Sequence, residues 1–227
     1  MRATGNRISV QVSLSGYSFS VEEEGAHVKQ SGWLGADRIF TTPEFQRRYD
    51  EVQLSLLTPK CTLVPSAFYS EDNSRAMLSG VVELGESDQV SAVPVEEFSA
   101  WLVYSNSIGE SLSKVISQSL KYMDGDNVPV LPEMYWILKS LKECPEYNKI
   151  IASYRDGFLH LAVAQGKSLM LSNIFPAADF TTAEYFIFNV MKQLQLNPEV
   201  SSVYFRTPLD IEEEMSLYRY FKAVVRL

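Results

Sequence analysis

Cysteine and histidine are scarce in this chain, with two of each in 227 residues. So few cysteines cannot build the disulfide framework of a small secreted domain, and the pair, Cys61 and Cys144, fits a reducing compartment. Neither carries the His or Lys signature of a reactive thiol, so both read as buried core thiols. A disulfide between them stays open. A metal centre needs three or four converging ligands, and neither His27 nor His160 has a cysteine or carboxylate at ligand spacing. No metal and no cofactor is expected. Surplus positive charge is missing too. A net charge of -8 is the wrong sign for a nucleic-acid surface, which replaces counterions with clustered Lys and Arg, and for an anionic membrane surface. No apolar run approaches the roughly 20 residues that span a bilayer. The stretch Met1 to Arg7 lacks the apolar core of a signal peptide. These shortages together point to a cytoplasmic protein that binds neither nucleic acid nor membrane.

The residues that are present make an ordinary soluble composition, 46% hydrophobic and 21% charged, long enough for one large domain or two subdomains. Two stretches follow one plan. The first runs from Ile8 to about Ser70 and the second from Lys149 to about Met215. In each, a strand reaches a glycine (Gly16, Gly157) and a second strand reaches another nine residues on (Gly25, Gly166). A third strand leads to a matching hexapeptide, Phe40-Thr41-Thr42-Pro43-Glu44-Phe45 and Phe180-Thr181-Thr182-Ala183-Glu184-Tyr185. The offset of about 140 residues marks a duplicated β-β-β-α-β unit.

Local patterns supply the elements. Ile8, Val10, Val12 and Leu14 alternate with Ser9, Gln11 and Ser13, a strand with one buried face. Ser15-Gly16 closes a hairpin into Tyr17–Val21, and Ala26–Leu34 is a third strand. Pro43, with Thr41 or Thr42 as cap, opens a helix that runs on Phe45, Tyr49, Val52 and Leu56 and stops before Pro59. Cys61–Val64, Met77–Leu84 and Trp101–Tyr104 read as strands, Gly85–Gln89 as a loop, and Ile108–Met123 as an amphipathic helix. After a break at Asp124–Asn127, Val128–Leu131 is extended and Pro132 opens a helix through Leu141. The second copy supplies strands at Lys149–Tyr154, Phe158–Val163 and Ser168–Phe175, with an Asp156-Gly157 hairpin turn between the first two and a Gln165-Gly166 turn before the third. A helix follows over Thr181–Gln195, then a strand at Ser202–Arg206, a helix at Asp210–Tyr220 and a closing strand at Ala223–Leu227. The apolar start of the Thr181 helix, Tyr185 to Phe188, predicts deep burial.

A duplicated β-β-β-α-β plan with further helices resembles the actin-like fold of actin, sugar kinases and Hsp70 chaperones, most of all the small pilus-assembly and cell-division ATPase-like proteins. The residues around Ile8–Val21 and Tyr154–Gly166, with Leu171-Ser172-Asn173 and Phe175, are similar to a bacterial family, domain of unknown function 3822. The resemblance implies an α/β chain of duplicated βββαβα units in an actin-like (ribonuclease H-like) two-subdomain architecture. The subdomains would be residues 1–147 (core repeat 8–70, extension 71–147) and 148–227. In active members of the fold each hairpin carries an aspartate, two residues before a glycine, that orients Mg²⁺ while backbone N–H groups hold phosphates. Here the first hairpin reads Val12-Ser13-Leu14-Ser15-Gly16-Tyr17 and has no acid. The second reads Tyr154-Arg155-Asp156-Gly157-Phe158, with its aspartate next to the glycine and a bulky ring after it. No glycine pair for an adenosine stands near Arg206-Thr207-Pro208.

The expectation is a fold kept and an ATPase site lost: a non-enzymatic scaffold or adaptor in a cytoplasmic bacterial assembly, with a protein partner. The alternatives are a divergent ATPase or kinase using Asp156 in the inter-subdomain cleft, and a module whose partner adds to an exposed sheet edge. Any surviving nucleotide would be lined by Ser13, Ser15, Gly16, Asp156 and Gly157. Other polar features have simpler readings. Lys167 follows a turn glycine and reads as a solvated strand start rather than a phosphate ligand. Glu212-Glu213-Glu214, with Asp210 as cap, offsets a helix dipole before it need be an acidic docking patch. Trp33, Trp101 and Trp136 read as core anchors.

Overall fold

The computed structural model of the chain describes residues 5–24, 26–107, 110–122 and 128–227. The expected break at Asp124–Asn127 lies outside them, as do Gly25, Ile108 and Met123. The chain begins with β1 (Arg7–Ser13), β2 (Gly16–Glu23) and β3 (Ala26–Gln30). Leu14 sits in the turn after β1, 69% exposed, instead of continuing the buried row.

The helix expected from Pro43 to Leu56 does not form. Two 3-10 turns, Ala36–Thr41 and Pro43–Gln46, give way to β4 (Arg48–Tyr49) and β5 (Glu51–Leu56). Phe45, Tyr49 and Leu56 are buried as anticipated, but the pairing of β5 with β1 decides the conformation. Val52, Leu54 and Leu56 lie beside Ile8, Val10 and Val12 in parallel register, and their period of two wins over the helical 4-3-4 spacing.

Next come β6 (Cys61–Pro65), α1 (Ser74–Ser79), β7 (Val90–Val95) and β8 (Ala100–Ser105). The expected strand Met77–Leu84 is thus a short helix and a turn. Leu78 alone is buried there while Val81 is 62% exposed, so the alternating burial that supports a strand is missing. β7 gave no clear sequence signal. Then follow α2 (Glu110–Ser119), β9 (Lys121–Tyr122), β10 (Val130–Pro132) and α3 (Glu133–Glu143). The last third carries β11 (Asn148–Arg155), β12 (Phe158–Gln165), β13 (Ser168–Pro176), α4 (Phe180–Gln193), β14 (Ser202–Phe205), α5 (Ile211–Tyr218) and β15 (Ala223–Arg226).

The chain folds into two compact units, residues 1–58 with 106–132, and residues 59–105 with 133–227. In the first unit a five-stranded sheet has the order β10-β5-β1-β2-β3. β1, β2 and β3 are antiparallel neighbours; β5 and β10 run parallel to β1. Ile8, Val10, Val12, Tyr17, Phe19 and Leu54 put one apolar face against Phe45, Tyr49, Ile116 of α2 and Leu120 just after it. The other face is polar. There Ser18 Oγ donates to Gln11 Oε1 at 3.2 Å and Ser9 Oγ to Gln53 Oε1 at 3.2 Å.

In the second unit the sheet order β13-β12-β11-β14-β15 repeats the same scheme, three antiparallel strands and then two parallel ones. This sheet is apolar on both faces. Ile150, Ala152, Leu159, Leu161 and Val163 pack against α4 and α5. Ile151, Ala162 and Ala164 pack against α3 and against Val95 and Leu102 of a three-stranded sheet, order β6-β8-β7. β6 therefore does not extend the first sheet. α4 is capped by Asp179, the residue just before the hexapeptide, whose side chain accepts from Thr182 N. Its Tyr185–Phe188 start is not deeply buried all round. Ile187 is fully buried, but Tyr185 is 64% exposed.

Candidate functional site

The residues that could meet a nucleotide sit on two hairpin turns, one in each unit. In the first, the β1–β2 turn is Leu14-Ser15. Ser13 and Ser15 lie together, with their hydroxyls 3.2 Å apart and Ser15 N donating to Ser13 Oγ at 3.3 Å. Gly16 has φ +140°, a region L side chains rarely adopt. Its open side is filled by the protein itself. Tyr17 N donates to Leu34 O at 2.9 Å and Leu34 N to Tyr17 O at 2.7 Å, so a Cβ on Gly16 would stand 2.0 Å from the Leu34 carbonyl oxygen. The glycine admits a neighbouring backbone segment. Tyr17 is locked further by a 2.6 Å hydrogen bond between its hydroxyl and that of Thr42. Thr42 is thus spent on tyrosine and on the Arg38 carbonyl, and it makes no side-chain cap for the turn after it.

In the second unit Asp156 and Gly157 have φ of +50° and +79°, the paired left-handed residues that a tight two-residue hairpin demands. Asp156 Oδ1 lies 3.5 Å from Arg155 Nε. The Gly157 carbonyl accepts from Ala177 N at 2.8 Å, and Ala177 O accepts from Tyr154 Oη at 3.2 Å. Tyr154 N donates to Oγ1 of the fully buried Thr207 at 2.9 Å. Burial first, then the carboxylates of Asp179 and Glu213, push the Tyr154 phenol up. The turn is therefore tied to the end of β13 and to the segment after β14. The structure brings Ser13, Ser15 and Gly16 together in one unit, and Asp156 and Gly157 in the other.

Sequence reasoning missed a buried ionic cluster in the second unit. Glu133, the first residue of α3, is fully buried. Its Oε1 accepts from Ser153 Oγ at 2.6 Å and from Arg206 Nε at 2.9 Å. Arg206 Nη1 also donates to Ser140 Oγ at 3.0 Å. Ser153 lies opposite the buried His160 in the β11–β12 ladder. A carboxylate held by a permanent cation and a hydroxyl is an anchor between α3, β11 and the end of β14, since separating such a pair leaves a buried charge. The members are 20 and 73 residues from Glu133 in sequence, and no local motif announces them. One faint signal exists: Ser153 is a small polar residue among the apolar residues of β11.

Other singled-out residues have plain placements. Lys167 is exposed at the start of β13. Both cysteines are free, Cys144 buried and Cys61 half-buried, and desolvation pushes the Cys61 thiol up to about 12, which disfavours the reactive thiolate. Asp210 and Glu213 form a reciprocal capping box on α5. Among the described residues no group of three or more His, Cys, Asp or Glu could hold a metal ion, and no helix is long and apolar enough to cross a membrane.

Comparison with known proteins bears on this geometry. A family profile described as "Protein of unknown function (DUF3822)" matches residues 3–225. No curated protein matches the chain. Among solved structures, a Bacteroides thetaiotaomicron VPI-5482 protein with actin-like ATPase fold and unknown function is similar with a TM-score of 0.64 at 15% identity, over 100% of this chain and 92% of that one. A chain of a PilM–PilN type IV pilus biogenesis complex gives a TM-score of 0.46 at 10% identity, over 100% and 89%. The ethanolamine utilization protein EutJ from Carboxydothermus hydrogenoformans gives 0.45 at 10%, over 97% and 84%. The fold is actin-like.

Proposed function

The chain belongs to the DUF3822 family, and from that premise we propose that it is a non-catalytic scaffold or adaptor in a cytoplasmic bacterial assembly, an actin-like fold without nucleotide chemistry that works through a protein partner. The observation that carries this reading is the first hairpin. A phosphate held by turn amides needs room at the glycine and an acidic group for its metal. At Gly16 the room is taken by the Leu34 carbonyl, and Ser13, Leu14 and Ser15 supply no acid. In the second hairpin, Asp156 occupies a left-handed turn position, where aspartate is favoured for conformational reasons alone.

The test is thermal unfolding with and without ATP, ADP and Mg²⁺, alongside ATP turnover. A ligand at a hundred times Kd adds about 2.7 kcal/mol. For a chain of this length each kcal/mol moves the midpoint by about 2–4 °C, so bound nucleotide would raise it by at least 5 °C or so. The expected result is no shift and no turnover above background. Magnesium-dependent turnover would replace this reading with that of a divergent ATPase or kinase and make Asp156 the first residue to change.

A further inference from the structure

α5 carries an apolar stripe that nothing in its own unit covers. Ile211, Met215 and Tyr218 are 80%, 59% and 47% exposed. They stand at i, i+4 and i+7, one above another on a single helix face, while Leu217 on the opposite side is fully buried in the core with α4. Single exposed apolar residues are commonplace, but a row of three large ones along one helix is a contact surface in waiting. Tyr218 is already ordered, its hydroxyl donating to Val224 O at 3.0 Å, so it would lose little freedom on contact.

The surroundings of the stripe are acidic. Glu212 and Glu214 flank it, and Asp210 and Glu213 stand at its N-terminal end. Dipole compensation and the capping box account for Asp210 and Glu213; neither needs Ile211 or Met215 to face solvent. Glu184 on the neighbouring α4 adds to the negative potential at Glu213; its Oε1 is buried and makes no hydrogen bond among the described residues. Burial first, then the charges of Asp210 and Glu184, push the Glu213 carboxyl up, with only Arg155 and a backbone hydrogen bond acting against them. Arg219, the residue after Tyr218, is exposed as well, and acid outnumbers base over Asp210–Arg219.

We infer that the α5 face is a docking surface for a basic amphipathic helix of a partner protein, whose apolar residues cover Ile211, Met215 and Tyr218 and whose Lys or Arg side chains meet Glu212 and Glu214. The stripe extends over the eight residues of α5, about 10 Å of helix, so two to three turns of partner span it. Packing between apolar rows supplies affinity, and the acidic border sets orientation and rejects acidic partners. The inference deepens the adaptor reading and rests on it.

The test uses the full chain and a fluorescein-labelled amphipathic helix of Leu and Lys about 18 residues long, read by anisotropy, with a scrambled peptide of the same composition as control. Binding is expected for the amphipathic probe and to be at least tenfold weaker for the scrambled one. It is also expected to be at least tenfold weaker for the double variant Ile211→Ser/Met215→Ser, whose melting temperature should match the parent because both side chains are exposed. Hydrogen exchange in the complex should slow over residues 210–220. No binding at about 1 mM probe, or equal binding to the double variant or of the scrambled peptide, overturns the proposal. Nucleotide turnover would sink the adaptor reading by a separate measurement, so the two failures are distinguishable.

Discussion

Gly16 and Gly157 look equivalent in the sequence, and their surroundings separate them. A Cβ on Gly16 collides with the Leu34 carbonyl oxygen at 2.0 Å, whereas the atom nearest a Cβ on Gly157 is Ala177 O at 3.8 Å. Both have positive φ, which costs an L residue about 1–2 kcal/mol by itself. Gly157→Ala should therefore lose about that amount. Gly16→Ala should lose more, about 3 kcal/mol or above, because the β2–Leu34 bridge must move as well. Urea denaturation of the two variants measures the difference; equal losses would show that Leu34 yields without cost. Paired valine substitutions at these glycines are consequently a poor probe of a nucleotide site, since the Gly16 change acts through folding first.

At the scale of elements, sequence patterns that rest on neighbours along one strand carried over well. The alternation in Ile8–Val12 and Tyr17–Val21, and the Asp156-Gly157 turn, appear where the residues placed them. Elements decided by distant partners did not. Val52–Leu56 fits a helix or a strand until β1 is available to pair with it, and Met77–Leu84 contains only one buried anchor. The hairpin residues to which the actin-like resemblance points, Ser13, Ser15, Gly16, Asp156 and Gly157, could be named from the sequence, but the segment that fills the space at Gly16 comes from residue 34 and no spacing reveals it. The Glu133–Ser153–Arg206 cluster was illegible for the same reason. It ties α3 to the central sheet, and the Glu133 and Arg206 side chains are 0% and 12% exposed. Arg206→Met should cost about 3–5 kcal/mol by stranding the Glu133 charge, while the double change Glu133→Leu/Arg206→Met should recover most of that loss. If chemical denaturation finds the double variant no better than the single one, the pair is not the unit of stabilisation.

At the scale of the whole molecule, the two five-stranded sheets share a strand order but not a way of being stabilised. In the second unit the central strands β11 and β12 have apolar clusters on both faces, one with α4 and α5 and one with α3 and the β6-β8-β7 sheet. In the first unit β1 and β2 present apolar residues to α2 and the 3-10 turns on one face, and Ser9, Gln11, Ser13 and Ser18 on the other. Burial of apolar area is the main stabilising term in a fold, and local opening follows its distribution. The amides of Ile150–Ala152 and Leu159–Val163 should then exchange only through global unfolding. Those of Ile8–Val12, with one apolar face to lose, should exchange at lower free energy and with a smaller denaturant dependence, as a sub-global opening does. Native-state hydrogen exchange across a urea series reads this directly. Matching free energies and slopes in the two sheets would mean that the units open as one and that the polar face of the first sheet is as well secured as the apolar faces of the second. A lower free energy for the first sheet would make the hairpin around Gly16 the more easily opened of the two turns, the opposite of what a preorganised phosphate site requires.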